Sequence, residues 1–239
     1  MFDRIALKER LKDIILGYSH FTPSFSQAGE DMILRSIFMK YYNGTYVDVG
    51  AYHPFTGSNT HYFYRFMNWR GINIEPNPRQ IEYFMKHRKE DINLNIGISS
   101  ESAVLDYYVI KDMAVMNSFS LDFIKQAGLE DSISEILKIR TLPLAEVLEK
   151  YLPQNKSIDI LNVDVEGMDH VVLESNDWDR FRPKTIIIES DIENWENSPI
   201  RTYLKERDYT LAGFTPVNLK VNISGIYIEN SFLKTYSNY

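Results

Sequence analysis

The stretch at residues 45–50, which reads Thr-Tyr-Val-Asp-Val-Gly, decides the fold class of this chain. It is rich in β-branched and aromatic residues and ends in a glycine turn, a pattern typical of a buried strand. Further runs of this type follow at 71–75, 93–96, 103–110, 157–163 and 184–188. Helical patterns separate several of them, at 58–67, at 76–89 and from about residue 167. This alternation predicts parallel βαβ units and therefore a doubly wound α/β sheet.

The residues before the first strand are predicted to form a helical N-terminal extension, at residues 1–42 of a single domain of 1–239. Apolar residues recur at helical spacing from Leu7 to Tyr18, with charged residues between them. A second helix is expected at 29–41. The first helix is interpreted as a packing or self-association element, so a homo-oligomer is a possible state.

The rest of the chain, at 43–239, is predicted to be the α/β core. It closes with a hairpin made of residues 209–214 and 224–228. An inserted segment at about 111–140 is longer than a minimal βα crossover needs. We predict that this segment covers the bound ligand as a lid, with packing into the core as the alternative.

Composition and charge exclude several classes of protein. The chain has 33 acidic against 26 basic residues, a net charge of −7 and no cysteine. Without cysteine, thiolate catalysis, iron–sulfur clusters and disulfide scaffolds are excluded. The acidic balance argues against nucleic acid as a partner, because binding phosphates needs a concentrated basic surface. The basic run at 86–89 is interpreted as a favourable contact with the end of a helix dipole.

The apolar residues of the chain do not form long uninterrupted runs. No apolar run approaches the roughly 20 residues that a membrane span needs. The first residues are interrupted by charges and lack a signal-peptide core. We therefore predict no membrane span and a cytoplasmic location.

Polar side chains follow nearly every predicted parallel strand, at the point where the strand ends. These residues are Asp48 with Gly50, Glu75, Asn95, Asp164 with Glu166, and Glu189. Because the carboxyl ends of parallel strands meet at one edge of a sheet, we expect a shared binding crevice there. The alternative for Asp164 and Glu166 is that they cap the helix that follows them.

The pattern at the first two strand ends indicates the class of ligand. The loop at 49–57 lacks the G-x-G-x-x-G spacing of a dinucleotide-binding loop, and the chain has no P-loop. A carboxylate at Asp48 suits an ammonium or sulfonium cation. A carboxylate at Glu75 can accept hydrogen bonds from both hydroxyls of a ribose. A cationic nucleoside without phosphates meets these conditions, and S-adenosyl-L-methionine fits that description.

Five motifs resemble those of the FkbM-type S-adenosylmethionine-dependent methyltransferases. They lie at 26–31 (Ser-Gln-Ala-Gly-Glu-Asp), 46–54, 58–60, 69–78 and 162–167 (Asn-Val-Asp-Val-Glu-Gly), so that the resemblance extends from about residue 24 to 190. It implies a class I, Rossmann-like methyltransferase fold with seven strands, the last antiparallel. It also implies O-methylation, often of sugars or secondary metabolites. The chain departs from many members at Tyr52-His53-Pro54, so contacts to the methionine end of the cofactor are not carried over.

The strand ends and the resemblance together predict the site residues. The predicted catalytic residues are His53, Asp164 and Glu189. The predicted cofactor-binding residues are Gln27, Glu30, Asp48, Gly50, Ser58, Asn59, Glu75, Pro76, Asn95, Asp164 and Glu166. His53 is equally open to interpretation as a metal ligand or as a loop residue, and a divalent metal stays an open requirement.

The expected function is S-adenosyl-L-methionine-dependent O-methylation of a hydroxyl on a sugar, polysaccharide precursor or related secondary metabolite. The acceptor would thus be a small molecule or a glycan. One alternative is a nicotinamide-dependent oxidoreductase, which the loop at 49–57 disfavours. A second alternative is a non-catalytic scaffold that binds the cofactor.

Overall fold

The computed structural model describes residues 23–191, 197–218 and 222–236. In these ranges the strands are β1 (Thr45–Val49), β2 (Arg70–Ile74), β3 (Ile92–Leu94), β4 (Gly97–Ile98), β5 (Ala103–Ile110), β6 (Ile133–Leu142), β7 (Ile160–Val163), β8 (Thr185–Asp191), β9 (Tyr209–Asn218) and β10 (Asn222–Glu229). The α-helices are α1 (Glu30–Ile37), α2 (His61–Phe66), α3 (Pro78–His87), α4 (Leu121–Gln126), α5 (Leu144–Tyr151), α6 (Asp169–Glu174), α7 (Pro199–Lys205) and α8 (Asn230–Tyr236). The helix predicted from Leu7 to Tyr18 lies outside the described residues.

Seven strands form one sheet in the order β3-β2-β1-β7-β8-β10-β9. The central strand β1 pairs in parallel with β2 and β7, and parallel pairing continues to β3 on one side and β8 on the other. The last strand of the chain, β10, lies between β8 and β9 and runs antiparallel to both. The prediction of an α/β fold with a doubly wound seven-stranded sheet and an antiparallel last strand is therefore confirmed.

A second sheet of three strands, in the order β4-β6-β5, adjoins the main one. The extended run predicted at 103–110 is present as β5, but it pairs antiparallel with β6 and takes no part in the main sheet. The predicted inserted segment at 111–140 contains a 3-10 turn at Ala114–Met116, then α4, and then most of β6. Only its first part is therefore a connection between strands.

Packed side chains cover both faces of the main sheet. Along β1, Val47 and Val49 belong to a core cluster that includes Leu148 of α5, whereas Tyr46 packs on the opposite face with Phe38. Every residue of β1 is buried as a result. Burial on both faces is what a parallel sheet with helices on either side requires. None of the helices in the described ranges is long and apolar enough to cross a membrane.

Several helices are shorter than the patterns predict. The helix expected at 29–41 spans Glu30–Ile37, and the one expected at 58–67 begins only at His61. The latter starts after Ser58 and Thr60, whose hydroxyls accept from a buried arginine that is described below. The helix expected at 76–89 spans Pro78–His87: Pro78 opens it, and the Asn77 side chain accepts from the Arg79 N–H.

Candidate active site

A cavity of about 410 Å³ opens at the carboxyl ends of β1, β2, β7 and β8. A volume of this size is sufficient for a small-molecule ligand. The sequence-predicted residues that line it are Gln27, Asp48, Gly50, Ser58, Asn59, Glu75, Pro76, Asp164, Glu166 and Glu189. The structure thus brings together residues that are far apart in sequence, at the edge where parallel sheets bind ligands.

Gly50 lets the turn after β1 approach the end of β7. Its φ is 77°, and a Cβ at this position would lie 1.8 Å from the carbonyl oxygen of Asp164. The Asp164 N–H in turn donates to the Val49 carbonyl at 3.0 Å. Only glycine permits both the backbone conformation and this close contact, so the floor of the cavity depends on it.

Glu75, at the end of β2, is a buried carboxylate held by two backbone donors. Its Oε2 accepts from the Tyr52 N–H at 2.9 Å and its Oε1 from the Asn77 N–H at 2.7 Å. Burial raises the pKa of Glu75 to about 7, although both hydrogen bonds oppose the rise. The carboxylate is fixed in place and retains lone pairs for a ligand, since each oxygen can accept more than one hydrogen bond.

Asp48, within β1, is the start of a buried chain of hydrogen bonds. Its Oδ2 accepts from the Thr60 hydroxyl at 2.7 Å and its Oδ1 from the Asn162 amide at 2.9 Å. The Asn162 oxygen accepts from the Asn59 amide at 2.8 Å. Burial raises the pKa of Asp48, against the Thr60 hydrogen bond and the positive charge of Arg88.

Asp164, Glu166 and Glu189 bring three carboxylates together on the other side of the cavity. One oxygen from each lies within 4.8 Å of the others, so the three could hold a divalent cation. Burial and then the charge of Glu189 raise the pKa of Asp164 well above its usual range. The same two causes raise the pKa of Glu166 to about 8. A group of this kind can hold a proton, release it, or bind a cation.

Neither Asp164 nor Glu166 occupies the N-cap position of α6, which is Met168 and has no side-chain cap hydrogen bond. Asp169, in the first turn of α6, accepts from the Val165 and Gly167 N–H groups, each at 3.3 Å. Glu166 and Gly167 have φ values of 52° and 90°, so the chain turns sharply here and α6 starts at Asp169. This turn directs the preceding acids into the cavity.

Three predicted residues do not line the cavity. The His53 Nδ1 accepts from the N–H groups of Phe55 and Thr56, at 3.2 and 3.1 Å, and therefore shapes its own loop. Burial, Arg88 and His87 lower the pKa of His53. The Asn95 amide supports the end of β2, because it donates to the carbonyls of Glu75 and Pro76.

Glu30 is the third of these residues, and it belongs to a structural motif. Its carboxylate accepts from the Thr215 hydroxyl at 2.6 Å and from the Ala28 N–H at 2.9 Å. The neighbouring Asp31 accepts from the hydroxyls of Ser24 and Ser26. The acids of the 26–31 motif thus fold a loop against the sheet, and Gln27 is the residue of that loop that reaches the cavity.

Sequence reasoning missed Arg88. Lys86 and His87 do occupy the last turn of α3, as the basic run predicts, but Arg88 is fully buried. No local pattern distinguishes it from its basic neighbours.

One wall of the cavity consists of Tyr107, Ala114, Val115, Met116, Asn117 and Phe119. All of them except Tyr107 lie in the segment at 111–140 that was predicted to cover the ligand. Tyr107 belongs to β5, and its place in the wall was not predicted.

The charge of the cavity wall is one-sided. Asp48, Glu75, Asp164, Glu166 and Glu189 contribute five carboxylates, and no lysine, arginine or histidine of the described residues lines the cavity. A phosphate would find no cationic partner at such a wall. The arrangement favours a cationic or neutral ligand over an anionic one.

Comparison with solved structures finds proteins named as methyltransferases, at low identity. One from Escherichia coli, named as a methyltransferase, is 10% identical, with 89% of this chain and 90% of that chain covered and a TM-score of 0.43. One from Klebsiella pneumoniae, named as an O-methyltransferase, is 12% identical, with 88% and 82% covered and a TM-score of 0.42. One from Pyrococcus horikoshii, named as an RNA methyltransferase, is 11% identical, with 91% and 98% covered and a TM-score of 0.41.

Comparison at the level of sequence identifies the family. No curated protein matches the chain significantly. The family described as the methyltransferase FkbM domain matches residues 48–211. This range includes the cavity residues at the ends of β1, β2, β7 and β8. Since this match covers most of the chain, the protein belongs to the FkbM methyltransferase domain family.

Proposed function

We propose that the protein is an S-adenosyl-L-methionine-dependent O-methyltransferase. The acceptor would be a hydroxyl of a sugar, a polysaccharide precursor or a related secondary metabolite. The observation that carries this proposal is the cavity at the strand ends, whose described wall has five carboxylates and no basic residue. Membership of the family supports the methyltransferase activity itself.

The residues of the cavity fit the cofactor. Glu75 would hold the ribose hydroxyls, because its carboxylate is fixed by the Tyr52 and Asn77 N–H groups and keeps further acceptor capacity. Asp48 would face the cationic end of the molecule. The Oδ1 atom of Asn59 is buried and has no hydrogen-bond partner among the described residues, which suits a donor on the ligand.

Bound S-adenosyl-L-methionine supplies a methyl group on a positively charged sulfur. The acceptor hydroxyl is a poor nucleophile until its proton is removed. We assign that proton to the carboxylates of Asp164, Glu166 and Glu189, which lie within 4.8 Å of one another. The raised pKa of Glu166, at about 8, makes it a better proton acceptor than an ordinary glutamate. His53 has no part in this assignment, because it lies outside the cavity wall.

The second sheet would contact the acceptor. The turn at Ala114–Met116, which follows β5, and the ring of Phe119 give the cavity an apolar part of its wall. Sugar rings and many secondary metabolites present apolar faces together with hydroxyls. The absence of basic residues from the described wall favours an uncharged acceptor over a nucleotide-linked or acidic one.

The test measures binding and transfer separately. Calorimetry should show binding of S-adenosyl-L-methionine, and nicotinamide dinucleotides should not compete, because their pyrophosphate would find no basic residue on the described wall. Transfer is then measured with labelled cofactor on a panel of neutral glycosides, with the position of the new methyl group determined by NMR. Binding without transfer to any hydroxyl would favour the scaffold alternative. Binding of a nicotinamide cofactor instead would favour the oxidoreductase.

A further inference from the structure

Arg88 lies behind the β1 side of the cavity as a fully buried cation. Its guanidinium donates to neutral oxygens: twice to the Pro54 carbonyl, at 3.1 and 2.7 Å, once to the Ser58 hydroxyl at 2.8 Å and once to the Thr60 hydroxyl at 2.7 Å. A buried charge is costly unless it is compensated. Asp91 interacts with this charge and the rings of Tyr64 and Phe84 face it, and one of the hydroxyls connects it to a second carboxylate.

Thr60 connects the guanidinium to Asp48. Its Oγ1 accepts from Arg88 and donates to the Asp48 Oδ2, with both distances 2.7 Å. The direction of the second bond is determined by the first. Since a guanidinium can only donate, the proton of the Thr60 hydroxyl is available to the carboxylate on the opposite side. The two charges thus form an ion pair with a hydroxyl between them.

The hydrogen bonds also determine the orientation of the side-chain amides of Asn162 and Asn59. The Asn162 nitrogen donates to the Asp48 Oδ1 at 2.9 Å, so its oxygen is left to accept from Asn59. Asn59 uses its nitrogen for that bond and keeps its oxygen, which is buried without a partner among the described residues. Both Asp48 and Asn59 line the cavity. This wall therefore offers acceptors.

We propose that Thr60 is a positioning residue that joins Arg88 to Asp48 and thereby orients the acceptors of Asp48 and Asn59 toward the N–H donors of a cationic ligand. The identity of that ligand as S-adenosyl-L-methionine rests on the proposed function. Hydrogen-bond networks of this kind reinforce one another in a buried setting. Loss of the Thr60 hydroxyl should therefore disturb both Arg88 and the acceptors of Asp48 and Asn59.

The test compares two threonines that are equally buried. Thr60→Val removes the hydroxyl and keeps the shape. Thr60→Ser restores the hydroxyl with a smaller side chain. The matched control is Thr185→Val. Thr185 is also fully buried, and its hydroxyl donates to the Asp159 carbonyl at the start of β8, the end of that strand opposite to the cavity. Calorimetry with S-adenosyl-L-methionine gives the dissociation constant of each folded variant.

We expect Thr60→Val to weaken binding by roughly tenfold or more, the usual effect of losing a hydrogen bond to a charged group. Thr60→Ser should recover most of that loss, and Thr185→Val should bind as the wild type does even if its melting temperature falls. Wild-type affinity in Thr60→Val would overturn the proposal. So would equal losses in Thr60→Val and Thr60→Ser. If Thr60→Val does not fold, Thr60→Ala and Thr60→Ser form the deciding pair.

A second readout needs no cofactor. Hydrogen exchange on the unliganded protein should accelerate at residues 54–60 in Thr60→Val, but not in Thr185→Val, because Arg88 loses one of its contacts to that loop. If the wild type does not bind S-adenosyl-L-methionine while this local effect is present, the proposed function fails and the positioning role stands. If residues 54–60 exchange at the same rate in Thr60→Val and Thr185→Val, Thr60 has no positioning role.

Discussion

The two halves of the cavity hold their acids in different ways. On the β1–β2 side, each carboxylate is met by donors: Glu75 by two backbone N–H groups, and Asp48 by a hydroxyl and an amide. On the β7–β8 side, Asp164, Glu166 and Glu189 each place one carboxylate oxygen within 4.8 Å of the others. Donors fix a carboxylate for binding, whereas crowded carboxylates exchange protons or take up a cation. The difference suggests that one half binds and the other performs the chemistry.

The sharpest test of this division is Asp164→Asn, which keeps the shape and removes the charge. We expect kcat to fall by about 10²–10⁴-fold, the range that general acid–base catalysis supplies. The dissociation constant of the cofactor should change only a few-fold. Steady-state kinetics with calorimetry checks both. Asp179→Asn, at an exposed site outside the cavity, is the control. A wild-type kcat in Asp164→Asn would contradict the division, and loss of transfer upon chelation would show that the acids act through a cation.

The complementary change on the other half is Glu75→Ala. It should weaken cofactor binding by roughly tenfold to a hundredfold, since a hydrogen bond to a charged group contributes about 1.5–3 kcal/mol. At saturating cofactor, kcat should stay close to that of the wild type. Glu82→Ala, on the exposed face of α3, controls for loss of a glutamate nearby. An unchanged dissociation constant, measured by calorimetry on folded protein, would remove Glu75 from the site.

The acids of both halves should make stability depend on pH. Burial raises the pKa of Glu75 to about 7 and that of Glu166 to about 8, above the values of an unfolded chain. From the pKa of an unfolded glutamate up to these raised pKa values, the folded protein binds more protons than the unfolded protein does. The stability of the folded protein therefore falls as pH rises through that range. Thermal unfolding of the unliganded protein should show a Tm lower by roughly 2–4 °C or more at pH 8 than at pH 6.

The same experiment separates the halves. Glu166→Gln should weaken the pH dependence throughout pH 6–8, because the folded protein holds the extra proton of Glu166 over that whole range. The effect should be clearest between pH 7 and 8, where the contribution of Glu75 is ending. A Tm that rises from pH 6 to pH 8 would show that these carboxylates are ionised at little cost in the folded state.

The sequence predicted the parallel core and the strand-end acids well, for a local reason. A strand such as β1 can be predicted from its β-branched and aromatic residues. Its carboxyl end then predicts that Asp48 lies at the edge of the sheet where ligands bind. Arg88 had no local signal, because it resembles its basic neighbours in sequence and is distinguished only by its contacts with the loop at 54–60.

The unusual length of the segment at 111–140 did predict that it covers the ligand, and Ala114, Met116 and Phe119 of that segment line the cavity. His53 was predicted to be catalytic because a histidine titrates near neutral pH, but its Nδ1 accepts from the Phe55 and Thr56 N–H groups, as the alternative of a loop residue requires.

The smallest expected effect concerns the apolar part of the cavity wall, and it tests whether the first part of the 111–140 segment contacts the acceptor. Met116 lines the cavity, whereas Met113, three residues earlier, is 44% exposed and lies outside the cavity lining. Met116→Ala should raise the acceptor KM by about three- to tenfold, because removing a partly buried side chain of this size costs about 1 kcal/mol of contact with the ligand. Met113→Ala should leave the acceptor KM unchanged. The dissociation constant of the cofactor should be the same in both, since the β1–β2 half is untouched. Equal KM values in the two variants would place the acceptor elsewhere. A loss of cofactor binding in Met116→Ala would mean that the second sheet supports the binding half as well, and the division between the halves would have to be redrawn.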